Sequence, residues 1–206
     1  MLRYDGPNPE DWTQVNADGF GDPANLVISS LAVFSHGGHT YLYAGTQNGV
    51  SGCEVWRTEG TGGPPYADWV RVNAKGFGAA ANKDALCMAA FGGSLYVGTG
   101  NAGGGQLWVT KGVGGPPYAD WASPVPPGFG NVTNTAVTAL APFTSGNGWL
   151  HAGTRNANGC ELWAESAPGA WSRVDVAAGV GGFGNLPAIN TEVSSISDRP
   201  GAPGVL

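Results

Sequence analysis

The stretch GGPPYADW stands at residues 62–69 and recurs letter for letter at 114–121. Such an exact octapeptide points to a repeating unit, and the flanking residues repeat at matching offsets. The motif GFG places Phe20, Phe77, Phe129 and Phe183 at separations of 57, 52 and 54 residues. An asparagine follows each of them: Asn25, Asn82, Asn134 and Asn190. The first three lead on to YAGT (43–46), YVGT (96–99) and HAGT (151–154), and then to CEVW, GQLW and CELW, ending at Trp56, Trp108 and Trp163. A second tryptophan follows in the series Trp12, Trp69, Trp121 and Trp171. The octapeptide is thus the least diverged part of a unit of roughly 54 residues, a period in the range of propeller and solenoid arrays.

Within one unit the apolar residues alternate. ISSLAVF (28–34), TYLYAG (40–45), CEVWRT (53–58) and DWVRVN (68–73) are short and rich in Val, Leu, Tyr and Trp, which is period-two strand chemistry. Gly, Pro and Asn interrupt every interval between them and leave no window for a helix. The pattern predicts an all-β chain: a β-propeller of four-stranded antiparallel blades, about 54 residues each, with three complete blades and partial ones at both ends. A β-solenoid is disfavoured because its rungs are shorter.

The blades are expected at 19–75, 76–127 and 128–176, with a half blade at 1–18 and a partial one at 177–206. MLRYDG aligns with VWRTEG (55–60), and the last residues align with the approach to a second strand, so the array is cut within strands at both ends. A segment of a longer propeller is the expectation. A four-bladed ring closed by the two ends, or closure by a second chain through self-association, are the alternatives, because unpaired strand edges are a liability.

Composition removes several function classes. Charged residues make up 12% of the chain and the net charge is −6, so no basic face is available to neutralise phosphates and nucleic acid is not an expected partner. No apolar run of about 20 residues suggests membrane insertion, and the first residues lack a signal-peptide pattern. The cysteines Cys53, Cys87 and Cys160 are odd in number, and Cys53 and Cys160 hold one repeat position two units apart, so free buried thiols are expected.

With the strands so placed, the hairpin between third and fourth strands carries an acid, a glycine and then a tryptophan: Asp5-Gly6 to Trp12, and Glu59-Gly60 to Trp69. This resembles the Asp-box (BNR-like) repeats of sialidase-type β-propellers, whose motif Ser/Thr-x-Asp-x-Gly-x-x-x-Trp lies on that hairpin. Arg3 and Arg57 replace the Ser/Thr, Lys111 replaces the acid in the next unit, and GGPPYA lengthens the turn. The fuller pattern is also similar to repeats in uncharacterised bacterial and archaeal surface proteins, which implies an extracellular or surface location. In the Asp-box setting acid and tryptophan lock a hairpin without chemistry. The octapeptide is accordingly expected to be a structural clasp, with Pro-Pro shaping the turn, Tyr66 and Tyr118 covering it and Trp69 and Trp121 anchoring it.

Candidate ligand residues come from the opposite face. There the GFG…N loops meet the T-x-N loops and predict a polar ring of Asn25, Thr46, Asn48, Asn82, Thr99, Asn101, Asn134, Thr154 and Asn156. Neutral amides and hydroxyls beside phenylalanine rings suit sugar hydroxyls or peptide backbone, so a glycan or a protein surface is the expected partner. The competing reading is that these residues satisfy turn backbones. Residues that differ between units, such as His36, His39, Arg155 and Asn158, are candidates on other grounds. For an enzyme the signals are thin: Glu54 and Glu161 share one repeat position, most arginines fall on positions set by the repeat, and no nucleophile elbow, phosphate loop or zinc motif occurs. His36 and His39 lack a third ligand for a metal. The reading is a binding module without catalytic residues, cofactor or metal. A fragment of a glycosidase-like or lyase-like propeller enzyme and a purely structural surface repeat are the alternatives.

Overall fold

A computed structural model describes residues 1–143, 148–175 and 190–196. The fourth GFG, at 182–184, and most of the segment 177–206 lie outside the described residues. The fold is all-β and its paired strands are antiparallel. At the front β1 (Leu2–Tyr4) pairs with β2 (Trp12–Gln14). A four-stranded meander follows: β3 (Val27–His36), β4 (His39–Gln47), β5 (Val55–Thr58) and β6 (Val70–Arg71). Next come β7 (Asp84–Phe91), β8 (Ser94–Gly100) and β9 (Leu107–Thr110), with a single bridge from Val109 to Ala122 where a fourth strand would run. The third meander is β10 (Ala136–Phe143), β11 (Trp149–Arg155), β12 (Leu162–Ala167) and β13 (Ala170–Arg173).

The expected fourth strand DWVRVN is confined to Val70–Arg71; past it the Val72 amide still donates to the Val55 carbonyl at 2.8 Å, but the return bond is made by a side chain. Asn73 Oδ1 accepts the Val55 amide at 2.7 Å, so a side chain stands where a backbone carbonyl would pair.

Consecutive meanders touch through their first strands, β3 beside β7 and β7 beside β10. Single antiparallel bridges link them at Gln47–Asp84, Gly100–Ala136 and Arg155–Glu192. The glycine of each AGT or VGT motif is where the next unit leans in. A Cβ on Gly98 would lie 2.5 Å from Cys87 Sγ and 2.8 Å from the Val137 side chain and carbonyl. The apolar core is therefore divided between units. One cluster joins Tyr43, Val55 and Val72 to Leu95, Val97 and Tyr118, and a second joins Tyr96 and Leu107 to Phe129, Val137 and Leu150. Neither meander can bury its apolar face alone. Cys53, Cys87 and Cys160 are free and buried within this interior, and burial pushes the Cys53 and Cys87 thiols up to about 12.

The octapeptide acts across units as well as within its hairpin. Trp121 Nε1 donates to the Val72 carbonyl at 2.8 Å and the Tyr118 amide donates to the same oxygen at 2.9 Å. Trp69 and Tyr66 treat Val15 in the same way, at 2.8 and 3.0 Å. The carboxylate that closes the turn is the one just before the tryptophan: Asp68 accepts from the amides of Glu59 and Thr61 and from the Thr58 hydroxyl. Glu59, the acid singled out in the sequence, instead meets His39 at 3.3 Å on the surface.

Candidate functional site

Each of the three described GFG motifs forms one left-handed turn. Gly76 and Phe77 have φ of 56° and 54°, and Phe20 and Phe129 repeat the conformation at 55° and 57°. The turn throws the phenylalanine back onto its own unit's tryptophans. Phe77 stacks on Trp108 at 4.8 Å between centroids and meets the edge of Trp121 at 5.0 Å. Phe20 does the same with Trp56 and Trp69, and Phe129 with Trp163 and Trp171.

Beneath each turn the structure brings together the polar residues singled out by the repeat. Asn25 donates from Nδ2 to the Gly19 carbonyl at 2.9 Å and to Glu54 Oε2 at 2.7 Å, and its Oδ1 accepts from Thr46 Oγ1 at 3.1 Å and from Asn48 Nδ2 at 3.0 Å. That exhausts its two donors and two acceptor sites. Asn82 holds Gly76, Gln106, Thr99 and Asn101 in the same pattern, and Asn134 holds Gly128, Glu161, Thr154 and Asn156. Eight of the nine are buried, Asn25 at 8%, Asn156 at 2% and six others at 0%, while Asn101 is half-buried. Their amides and hydroxyls are directed at one another and at loop backbone.

Glu54 and Glu161 lie at the base of this lattice. Glu54 also accepts from Trp56 Nε1, Arg71 and Lys75. Burial by itself would raise its carboxyl, but the bonds from Asn25, Trp56, Lys75 and Arg71 outweigh burial and hold it below the usual carboxylate range. Glu161 is matched by Arg173 at 3.2 Å. The middle unit carries neutral Gln106 at this position, where the unit offers Ser123 and Pro127 in place of those cations. Charge is thus compensated inside each unit, a structural arrangement and not an acid/base pair.

The side chains that remain open on this face lie one row higher, where the bridges between units fall. The positions are Gln47, Gly100 and Arg155 on one side and Val27, Asp84 and Glu192 on the other, with Ala136 in the same row but buried. Here the units differ. Gly100, which has no side chain, lines a recess of about 570 Å³, and a neighbouring one of about 630 Å³ shares Ala102, Thr135 and Arg155 with it. Lys83, Asp84, Leu86 and Asn101 line one, and Val132, Thr133 and Asn158 line the other. Arg155 is held by a bidentate pair with Glu192, at 2.8 and 3.1 Å. Asp84 accepts from the Ser29 hydroxyl and from Gln47 Nε2 at 3.1 Å. Burial raises its carboxyl, with those bonds and Arg155 opposing. Arg155 and Asn158 were legible as unit-specific residues. Lys83, Asp84, Thr135 and Glu192 were not, because only the register across units sets them beside Arg155.

His36 belongs to the opposite face. Its Nε2 lies 3.0 Å from Tyr43 Oη, Tyr118 Oη and Arg57, so the imidazole is held neutral as an acceptor. Burial, with Arg57 adding to it, lowers its pKa. Among the described residues no three His, Cys, Asp or Glu side chains converge as metal ligands. Compared with known proteins, the chain matches no family model, no curated protein and no solved structure.

Proposed function

We propose that the chain is a non-catalytic binding module, built as part of a β-propeller, that takes a glycan on the face formed by the GFG and T-x-N loops. The propeller reading is supported by β3, β7 and β10, the first strands of the three meanders, lying side by side and by glycines where the next unit leans in. The binding reading rests on one observation: above a buried lattice that repeats, the row around Gly100 varies and opens recesses lined by Lys83, Asp84, Thr135, Arg155 and Asn158. A carboxylate and a guanidinium already oriented by partners, beside the apolar walls of Leu86, Ala102 and Val132, suit sugar hydroxyls and a ring face.

The test is a glycan array followed by calorimetry on the best ligand. Asp84→Ala and Arg155→Ala are expected to weaken binding about tenfold each, the loss of charge-assisted hydrogen bonds. Asn48→Ala is expected to lower stability in preference to affinity. An array without signal, or affinity indifferent to Asp84 and Arg155, would sink the reading.

A further inference from the structure

At the far ends of the strands, successive interfaces are built from the same positions but are filled differently. Between the first and second meanders the space is packed. Tyr43 Oη meets Tyr118 Oη at 2.7 Å, Arg57 donates to Tyr118 at 2.6 Å, and the guanidinium lies 4.1 Å over the Tyr41 ring. The phenol of Tyr118 is delivered there by the octapeptide turn.

Between the second and third meanders four of the groups that fill this space, His36 among them, are missing. Tyr96 and Phe91 stand where Tyr43 and Phe34 stood, but Ser94 replaces Tyr41 and Val109 replaces Arg57. The β7–β8 hairpin turns directly after Phe91, so nothing corresponds to His36. The β12–β13 hairpin turns at Pro168 and Gly169 without the octapeptide, so no tyrosine arrives from the third meander. A cavity of about 350 Å³ results, at the small end of the usual ligand-pocket range.

Its polar wall is built and largely enclosed: Ser94 is 7% exposed, Tyr96 8% and Glu165 5%. Tyr96 donates to Glu165 Oε2 at 3.1 Å, and Glu165 Oε1 accepts the Gly169 amide at 2.7 Å. Each carboxylate oxygen keeps capacity for a second donor. Among the described residues no Lys or Arg nitrogen comes within ion-pair distance of Glu165, although Lys111 lines the same cavity. A buried carboxylate so placed calls for a further donor. Phe91 and Trp149 supply aromatic walls.

We propose that this cavity binds a phenol-bearing ligand, the group the chain itself inserts at the preceding interface. The ring packs against Phe91 and Trp149 and its hydroxyl donates to Glu165. The site lies on the face opposite the recesses around Arg155 and does not depend on them.

Calorimetric titration of the full chain tests this with p-cresol, N-acetyl-tyrosinamide and N-acetyl-phenylalaninamide. Both phenols are expected to bind saturably. The phenylalanine amide, lacking the hydroxyl, is expected to bind about tenfold more weakly or not at all. Tighter binding of the tyrosine amide than of p-cresol identifies a peptide as the source, and the reverse order a small phenol. Glu165→Gln is expected to weaken binding by a similar factor. Ser94→Tyr, which restores the ring present at Tyr41, is expected to abolish it while leaving a cooperative thermal transition. No saturable heat with either phenol, equal binding of the phenylalanine amide, undiminished binding by Ser94→Tyr, or displacement of a bound phenol by glucose would each overturn the proposal.

Discussion

Phe77 holds a φ of 54°, a left-handed conformation in which a side chain costs about 1–2 kcal/mol through contact of Cβ with the following carbonyl. The ring is kept because it stacks on Trp108 and abuts Trp121. Two opposed effects can be separated by mutation. Phe77→Ala loses the aromatic contacts, about 3–5 kcal/mol, and keeps the backbone strain. Phe77→Gly loses the same contacts and relieves the strain, so it is expected to be more stable than Phe77→Ala by about 1 kcal/mol in urea denaturation. Alanine proving the more stable of the two would show that the turn relaxes once the ring is gone. The recurrence of Phe20, Phe77 and Phe129 is plain in the sequence, but their stacking on tryptophans of the same unit is not. Nor is their handedness, because a glycine on each side is compatible with many turns. The same limit applies to Asn25, Asn82 and Asn134: spacing brings them to Thr46, Thr99 and Thr154, but a polar residue in a loop reads alike whether it faces a ligand or satisfies Gly19, Gly76 and Gly128.

Among the hairpins, the octapeptide gives a matched experiment. Trp121 Nε1 has an acceptor in the preceding meander, the Val72 carbonyl, whereas Trp171 Nε1 is buried with no partner among the described residues. Phe at either position removes similar ring area. Trp121→Phe also takes from the Val72 carbonyl one of its two donors, leaving the Tyr118 amide, while Trp171→Phe removes an unpaired donor. The first is therefore expected to cost about 1–2 kcal/mol more than the second, read from the midpoints of chemical denaturation. Equal costs would mean that the bond to Val72 contributes nothing net. The clasp was legible as a structural device, since no catalytic group accompanies it. Its reach across meanders was not, because strand order alone does not say which carbonyl a tryptophan finds. Likewise DWVRVN reads as a full strand, whereas regular pairing is confined to Val70–Arg71 and the Asn73 side chain takes the Val55 amide that a further backbone pair would use.

Taken as a whole the chain holds together by contact between units, so a substitution at the seam should act on more than its own strand. Gly98→Ala places a methyl within 2.8 Å of both Cys87 Sγ and the Val137 carbonyl, and the carbonyl, being backbone, cannot swing aside. Overpacking of this kind costs about 1–3 kcal/mol and at a backbone contact exceeds it. The expected result is a loss above about 3 kcal/mol, with a broadened urea transition as the second and third meanders separate. Gly92→Ala, which meets nothing within 4 Å but has a φ of 56°, serves as the strain-only control. A Gly98 variant no worse than this control would mean that the seam yields. The repeat and the all-β class follow from the sequence because both are periodic. The open recesses around Arg155 do not, because they arise along a row whose members come from four different units.

The three thiols carry one further implication. Cys53, Cys87 and Cys160 are sealed in the interior, and burial raises each thiol above its ordinary range, so an alkylating reagent meets them only when the surrounding sheet opens. They are distributed one to each meander or its approach loop. The rates at which they are labelled would report, without any engineered probe, whether the chain breathes unit by unit or lets go at once.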